Sequence, residues 1–298
     1  MRWIREATPR PEQNRLYRQA LVLTLGGNVF LALMKALVAY LSGSVALYSD
    51  AANSISDVVY SLFMVFGLWY AQRPPDLSHP QGHSRFEPLI GLLVTASMAF
   101  AGYEAARASI QRFLAGGLAV EPGLPALVLF VSAAVKVGMF YRIRFLSKKL
   151  ASPTLATTAR DNLSDVLTSG AALVGAIGSK WIHPLADPIG GVLVSLWIFR
   201  TVFKAVRENL GFLTGQGADE ALRRQLVKVA EEIEGVQRVH HLMSEYTGPR
   251  LVVDLHINVD GEMSVHRAHE IADEVIRRLE EFPEVDRVYV HIEPDGVE

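Results

Sequence analysis

Residues 49–57 read Ser-Asp-Ala-Ala-Asn-Ser-Ile-Ser-Asp and residues 159–165 read Ala-Arg-Asp-Asn-Leu-Ser-Asp, two polar stretches within long apolar runs. Each stretch carries two polar side chains four positions apart, Asn53 with Asp57 and Asp161 with Asp165, and such pairs share one face of a helix. A carboxylate in a membrane helix is costly and is retained mainly where it binds an ion, forms a pair or moves a proton. Two facing helices would gather three carboxylates and one amide oxygen, so the pairs predict a divalent-cation site at membrane depth.

The polar residues of both stretches also have a purely structural interpretation, as hydrogen bonds that hold membrane helices together. This interpretation suits Ser54, Ser56 and Ser164, whose hydroxyls sit among the acids. It does not suit the acids themselves, because helix packing does not need three potential charges. We therefore favour an ion site over packing alone.

Four further charged residues lie within or beside the apolar runs. Lys35 and Lys136 are expected to pair with buried acids rather than to move an ion. Asp50 is expected at the outer mouth of the site, and Asp187 is expected to cap the last membrane helix. All four are interpreted as supporting residues.

The composition is typical of a membrane protein, because only 20% of the residues are charged, fewer than in most soluble domains, and the apolar residues are bunched into long runs. The chain has no cysteine, which excludes disulfides and thiolate metal sites. A bilayer core needs about 20 apolar residues per helix. Six stretches qualify: 19–41, 45–71, 88–111, 123–146, 154–179 and 184–206. The first is too long for a signal peptide, so we expect it to remain as a span.

Basic residues are unevenly distributed between the segments that flank these stretches. Clusters of Arg and Lys precede the first stretch, separate the fourth from the fifth and end the sixth, whereas the opposite loops hold few charges. Because cytoplasmic loops carry the excess of Lys and Arg, both termini are predicted to be cytoplasmic. Short loops on a single compact chain suggest the inner (plasma) membrane of a prokaryote.

The chain divides by charge into a basic part and an acidic part. Residues 1–208 hold 20 Lys and Arg against 12 Asp and Glu, a net charge of +8, and residues 209–298 hold 9 against 19, a net charge of −10. An acidic tail disfavours nucleic-acid binding, because phosphates need a basic surface. We predict an all-α, six-helix transmembrane domain over 1–208 and a cytoplasmic domain over 209–298.

The patterning of the tail predicts a small α+β domain. Apolar residues at helical spacing indicate helices over 218–234 and 264–282, with Ser264 as the N-cap of the second. Alternating apolar residues indicate three strands, over 236–246, 251–259 and 285–292. The order α-β-β-α-β implies an open, ferredoxin-like sheet with helices on one face.

A second group of potential ligands lies between the second and third apolar stretches. Asp76, His79 and His83 occur there at short spacing in a segment rich in Pro and Gly. Such a loop can wrap one divalent ion, and it can equally be a solvated loop with incidental histidines. The spacing alone leaves both interpretations open.

The tail holds six of the nine histidines: His240, His241, His256, His266, His269 and His291. Glu293 follows His291 by two residues, so both side chains lie on the same side of a strand. Imidazole suits zinc, iron, nickel and copper, and suits manganese less well. His241 and His266 fit ordinary surface histidines as well as ligands. The clustering on neighbouring elements nevertheless favours a regulatory metal site in the tail.

With these motifs in this order, the chain resembles the cation diffusion facilitator family over nearly its whole length. The resemblance implies a homodimer that exports a divalent metal ion in exchange for protons, with the two tails meeting in the cytoplasm. It implies a transport site of Asn53, Asp57, Asp161 and Asp165, and a loop site of Asp76, His79 and His83. It also implies a structural or regulatory site in the tail, formed by His240, His256, His269, His291 and Glu293.

The chain departs from the pattern of that family in two places. Zinc-type members usually have a histidine in the transport site, and this chain has none there. Because carboxylate and amide oxygens suit manganese, we expect Mn²⁺ first, followed by Zn²⁺ and Fe²⁺. Thr214 stands where many members have an aspartate that pairs with a basic residue of the second-to-third loop, here Arg85. The ion pair that this aspartate forms in those members therefore has no equivalent carboxylate at Thr214.

Two other classes of function fit parts of the sequence. A membrane-anchored metal sensor without transport would need the tail but not the polar pairs. A membrane hydrolase is disfavoured, because no histidine lies near the aspartates within the spans and no nucleophile elbow or HExxH motif occurs. We expect a transporter rather than an enzyme.

Overall fold

The computed structural model describes residues 4, 11–42, 45–116, 124–181 and 183–296. Most of the Arg-rich segment before residue 11, on which the predicted topology partly rests, lies outside the described residues. The chain forms two compact units, residues 1–209 and 210–298.

Six long helices make up the first unit. They are α1 (Pro11–Ser42), α2 (Val45–Ala71), α3 (Phe86–Leu114), α4 (Leu124–Leu150), α5 (Pro153–Trp181) and α6 (Ala186–Leu213), the last of which extends into the second unit. Segments of five of them, all except α5, are long and apolar enough to cross a membrane. Each of the six predicted spans corresponds to one of these helices, and the predicted fold class is confirmed.

The helix α5 is the polar member of the bundle. Its residues Thr157, Thr158 and Ser164 are at most 4% exposed. The three hydroxyls donate to the carbonyl oxygens four residues earlier, so they are satisfied within the helix. Because α5 packs against α3 and α4, its polar side is buried in protein, where polar groups at membrane depth are tolerated.

Glycines permit close contacts between the helices, as two positions illustrate. A Cβ at Gly67 of α2 would lie 2.2 Å from the Ile90 side chain of α3. A Cβ at Gly102 of α3 would lie 2.9 Å from the Ile198 side chain of α6. Small residues of this kind let membrane helices approach closely, so α3 is held against both neighbours.

The second unit has the predicted order α-β-β-α-β. Its elements are α7 (Glu220–Glu231), β1 (Arg238–Thr247), β2 (Arg250–Val259), α8 (Val265–Leu279) and β3 (Val285–Pro294). The central strand β2 is antiparallel to β1 and parallel to β3. Gly248, with a φ of +77°, permits the tight turn between β1 and β2. Ser264 is the N-cap of α8, as predicted, because its hydroxyl accepts from the Arg267 backbone N–H at 3.2 Å.

The two faces of this sheet differ in chemistry. On β2, Leu251, Val253, Leu255 and Ile257 are fully buried in a core shared with α7 and α8. The residues between them, including His256, lie on the opposite face, because successive side chains of a strand alternate. The helices therefore cover one face, and the other face carries the histidines.

Replacement of Leu255 by Ala is expected to lower the free energy of unfolding of the second unit by about 2–5 kcal/mol, because it leaves a cavity in the core. The matched control is Met243→Ala on β1, since Met243 is 57% exposed and a surface change is worth less than about 0.5 kcal/mol. Urea unfolding of a fragment spanning 210–298, followed by circular dichroism, measures both. Equal losses would contradict the position assigned to Leu255.

Candidate metal sites

The polar pairs of α2 and α5 line two cavities in the helical bundle. The first, termed the Asp161 cavity, has a volume of about 20 Å³ and is lined by Asp57, Asp161 and Asn28. The second, termed the Asp165 cavity, has a volume of about 120 Å³ and is lined by Asn53, Asp57 and Asp165. Asp57 belongs to both, so the two cavities share one carboxylate.

The spacing on α5 explains why the four predicted ligands are divided in this way. Asp161 and Asp165 are one helical turn apart, and each faces a different cavity beside Asp57. Among the described residues, three His or acidic ligand atoms lie within 4.8 Å of one another only in the loop and in the tail. The structure thus brings the four residues to two cavities joined at Asp57, and not to one closed cage.

Two buried lysines form ion pairs with the acids of the Asp165 cavity. The Lys136 ammonium of α4 lies 2.7 Å from Asp165 Oδ2 and 3.4 Å from Asp57 Oδ2. The Lys35 ammonium of α1 lies 2.9 Å from Asp50 Oδ1. Both lysines therefore pair with acids, as the sequence predicts, and Asp50 lines the cavity that it was expected to border.

An amide of α1 connects the Asp161 cavity to the backbone of α2. Asn28 Nδ2 donates to Ser61 Oγ at 2.7 Å, and Ser61 Oγ donates to the Asp57 carbonyl oxygen at 2.7 Å. The Asn28 Oδ1 atom is buried and accepts no hydrogen bond from any described residue. Sequence reasoning missed Asn28, although a single amide within an apolar run is a recognisable signal. Its oxygen is a potential metal ligand, because Asn28 lines the same cavity as Asp57 and Asp161.

The loop between α2 and α3 brings its three predicted ligands together. Asp76 Oδ2 lies 3.5 Å from His83 Nε2, and Asp76 Oδ1 lies 3.7 Å from His79 Nδ1. The two imidazole centroids are 4.5 Å apart, and the ligand atoms of all three residues lie within 4.8 Å of one another. His83 is 2% exposed and packs edge-on against Tyr70. A buried, packed imidazole favours the ion-binding interpretation over a solvated loop.

The loop backbone keeps the Asp76 carboxylate ionised. The backbone N–H of His79 donates to Asp76 Oδ1 at 2.7 Å and that of Ser78 donates at 2.9 Å. These hydrogen bonds lower the pKa of Asp76 below its ordinary value, and the bond from His79 has the largest effect. Because only the ionised form binds a metal well, the loop offers a ready anionic ligand.

The tail ligands assemble on the open face of the sheet around Glu293. Its carboxylate lies 3.3 Å from His240 Nε2, 3.4 Å from His256 Nδ1 and 3.5 Å from His291 Nε2. The ligand atoms of His240, His256 and Glu293 lie within 4.8 Å of one another. This set of two imidazoles and a carboxylate is suited to zinc.

An irregularity in β1 places His240 on this face. The pairing of β1 with β2 shifts between Val239 and His241, so an extra residue is accommodated there. His240 Nδ1 then lies 2.8 Å from Oδ1 of Asn258, a side chain that is 6% exposed. Such a partner orients the ring and leaves Nε2 free to meet a metal. Sequence periodicity gave no signal for this shift or for the role of Asn258.

The other tail histidines differ in their position relative to the cluster around Glu293. His291 is 62% exposed at its side chain and lies beside His256, with ring centroids 4.9 Å apart. His241, the cross-strand partner of His256, has its ring 4.6 Å away. His269 lies on α8, 73% exposed, beside Asp273. The structure therefore gathers His240, His256, His291 and Glu293, and it leaves His269 outside this group.

Two other positions singled out in the sequence have local partners. The Asp187 carboxylate, in the first turn of α6, accepts from Arg112 Nη1 at 3.0 Å. The Thr214 hydroxyl donates to the Leu210 carbonyl oxygen at 2.9 Å. Asp187 is thus tied to α3, and Thr214 closes its own turn of helix.

Replacement of Glu293 by Gln is expected to lower zinc affinity at the tail cluster by at least about 10–100-fold, the range known for weaker, outer-shell partners. The change keeps the shape of the side chain and removes the charge that three imidazoles face. His266→Ala is the matched control, because His266 is 87% exposed and pairs only with its helix neighbour Glu270. Isothermal titration of the 210–298 fragment with zinc measures both variants. Equal affinities would exclude Glu293 as a ligand.

Comparison with known proteins agrees with this architecture. Residues 21–214 match the cation efflux transmembrane domain, and residues 218–295 match the cytoplasmic domain of cation efflux proteins. An uncharacterised transporter of Methanocaldococcus jannaschii is 34% identical over 94% of this chain and 99% of its own. The magnetosome protein MamM of Magnetospirillum gryphiswaldense is 31% identical over 86% and 83%. The manganese efflux system protein MneS of Bacillus subtilis is 27% identical over 92% and 94%.

The match of the transmembrane model covers well over half of the chain, and the cytoplasmic model covers most of the remainder. The apolar helices agree with a multi-pass membrane protein. The two matched domains follow one another in the order in which the two units occur. The chain therefore belongs to the cation diffusion facilitator family and is a divalent metal cation efflux transporter.

Proposed function

We propose that this transporter exports Mn²⁺ from the cytoplasm in exchange for protons. The observation that carries the proposal is the donor set around Asp57. The described residues that line the two cavities include carboxylates and amide oxygens but no histidine and no cysteine. Oxygen donors of this kind suit Mn²⁺, whereas imidazole and thiolate favour zinc and later metals.

One soft donor lies near this set. Met64 lines the Asp161 cavity, and its sulfur lies 3.2 Å from the oxygen of Thr158, whose hydroxyl proton is donated to the Thr154 carbonyl oxygen. The oxygens of Asn28, Asn53, Asp57 and the two acids of α5 outnumber this one sulfur. A relative that bears the name of a manganese efflux protein supports the same metal.

The proposed cycle is alternating access of a site formed by Asn53, Asp57, Asp161 and Asp165. The ion enters from the cytoplasm and binds the carboxylates of α2 and α5. These helices then tilt relative to the rest of the bundle and open the site outward. The shared position of Asp57 supports this cycle, because one carboxylate can follow the ion from the Asp161 cavity to the Asp165 cavity.

Protons would supply the driving force by competing for the same carboxylates. A metal site requires its ligands to be deprotonated, so metal affinity falls as the proton concentration rises. Protons arriving from outside would release the metal and return with the empty site. The two asparagines stay neutral, so only the three acids can carry these protons.

The proposed orientation puts both termini in the cytoplasm of a cell with an inner (plasma) membrane. The end of α4 carries Arg142, Arg144, Lys148 and Lys149, which supports a cytoplasmic position for the α4–α5 connection. The second unit would then lie in the cytoplasm and pair two chains into a homodimer. Its histidine cluster would sense cytoplasmic metal and need not match the exported ion.

Zinc is the second candidate for the exported ion, and Fe²⁺ follows it. The cluster of His240, His256 and Glu293 favours zinc in the tail. We rank manganese first because an exported ion must pass the oxygen ligands of the membrane site. A sensor without transport is the alternative of another class.

Replacement of Asp57 by Asn is expected to abolish metal flux, because Asp57 is the carboxylate shared by both cavities. Zinc binding by the tail cluster should be unchanged. The matched control is Glu104→Gln, since Glu104 lies on α3 beside Arg107 at 3.6 Å and away from the cavities. Proteoliposomes loaded with a metal-sensitive dye, tested with Mn²⁺, Zn²⁺, Fe²⁺ and Cd²⁺, measure flux. If the unmodified protein transported none of these four ions, the result would support a metal sensor without transport.

Replacement of Asp161 by His is expected to shift transport toward zinc by at least about tenfold relative to manganese, a change of 1.4 kcal/mol. The physical reason is that an imidazole enters a site of oxygen donors. The same proteoliposomes, supplied with each ion in turn, measure the ratio of fluxes. An unchanged ratio would contradict the oxygen-donor account of selectivity.

A further inference from the structure

Lys136 stands out because its ammonium occupies space beside two proposed metal ligands. The residue is 5% exposed on α4, and its Nζ lies 2.7 Å from Asp165 Oδ2 and 3.4 Å from Asp57 Oδ2. A divalent ion on the same carboxylates would sit about 2.0–2.2 Å from their oxygens. The ammonium and the ion would be like charges in contact, so binding of the ion must displace Lys136.

The second buried lysine of the cavity serves as an internal comparison. Lys35 is 8% exposed and pairs with Asp50 Oδ1 at 2.9 Å. Asp50 lines the Asp165 cavity but does not belong to the proposed ligand set. Of the two buried lysines, Lys136 is therefore the one whose ion pairs involve the transport carboxylates.

The cavity offers a place for a displaced ammonium. Ser132 lies one helical turn before Lys136 on α4, is 3% exposed, and its hydroxyl has no hydrogen-bond partner among the described residues. Thr168 and Ser169 of α5 line the same cavity. Its volume is about 120 Å³, which is ample for a small shift of a flexible side chain. A move of about one turn would exchange a carboxylate partner for hydroxyl partners.

The formal charges also balance when Lys136 is included. Three carboxylates and one ammonium sum to −2, so a bound divalent ion makes the group neutral. Without the ammonium the occupied site would keep a net charge of −1 inside the bundle. Because an uncompensated charge at membrane depth is costly, a neutral occupied site can move more readily than a charged one.

We propose that Lys136 is a tethered competing cation, which holds Asp57 and Asp165 until a metal ion displaces it and which returns to them when the ion leaves. This inference rests on the proposed function, since it assumes that these carboxylates bind the exported ion. It assigns to Lys136 a positioning role in release: the ammonium weakens metal binding and takes the place of the departing ion.

The test compares Lys136→Met with Lys35→Met in the full-length protein. Both carry Asp76→Asn and Glu293→Gln, so that the loop and tail clusters do not contribute to Mn²⁺ binding. Lys136→Met is expected to bind Mn²⁺ at least about tenfold more tightly than the unmodified membrane site, because a repelling charge is removed. Lys35→Met is expected to stay within about twofold of it. Isothermal titration in detergent measures the affinities.

Flux gives an independent readout of the same variants. Tighter binding appears mainly as slower release, so Lys136→Met should export Mn²⁺ at least about tenfold more slowly. Unchanged or weaker Mn²⁺ binding by Lys136→Met would overturn the inference. If the unmodified protein moves no metal, the proposed function fails, whereas the binding comparison still decides the role of Lys136.

A chemical rescue covers the case in which Lys136→Met does not fold. The chain has no cysteine, so Lys136→Cys carries a single thiol that 2-aminoethyl methanethiosulfonate converts into an ammonium side chain. The expected result is tight Mn²⁺ binding before modification, weaker binding after it, and tight binding again after reduction. Mass spectrometry verifies the modification. Equal affinities of the two forms would overturn the inference on one and the same polypeptide.

Discussion

Buried charge inside apolar helices is the constraint on which the first unit depends. A single uncompensated charge at the centre of a membrane helix costs at least about 2.5–3.5 kcal/mol, and a whole domain is stable by only about 5–15 kcal/mol. Four acids line the two cavities, so they need partners from neighbouring helices. Lys136 of α4 and Lys35 of α1 supply them to three of the four, Asp50, Asp57 and Asp165. The packing of α1 and α4 around α2 and α5 is therefore an electrostatic requirement as well as a steric one.

The same constraint explains why α5 differs from its neighbours. A helix that presents an aspartate to each of two cavities cannot also present a uniform apolar surface, and among the described residues α5 is not one of the five helices that are long and apolar enough to cross a membrane. Its threonines donate to their own backbone, and their hydroxyl oxygens lie close to Met64 of α2 and Asn209 of α6. The polarity of α5 is thus concentrated where the bundle shields it from lipid.

Much of this arrangement was predictable from the sequence, because it rests on periodic patterns. The spacing of Asn53 with Asp57 predicts a shared helix face, and both residues line the Asp165 cavity, whereas Asp161 and Asp165 line different cavities that meet at Asp57. The N-cap at Ser264 is predictable from local chemistry alone. The partners of Lys136 were not predictable, since they depend on how α4 packs against α2 and α5. The shift in β1 that turns His240 toward His256 was also hidden, because a period of two does not reveal an inserted residue.

The membrane and tail sites illustrate opposite requirements for affinity. The proposed transport site must release its ion in every cycle, and the Lys136 ammonium beside Asp57 and Asp165 would compete with the ion for the same oxygens. The tail carboxylate, Glu293, is instead approached by His240 and His256, whose imidazoles would bind a metal jointly with it in the proposed tail site. The membrane site thus combines hard donors with a competing charge, which favours weak, reversible binding. The tail combines softer donors without such a charge among its described contacts, which favours retention of a metal that need not be the one transported.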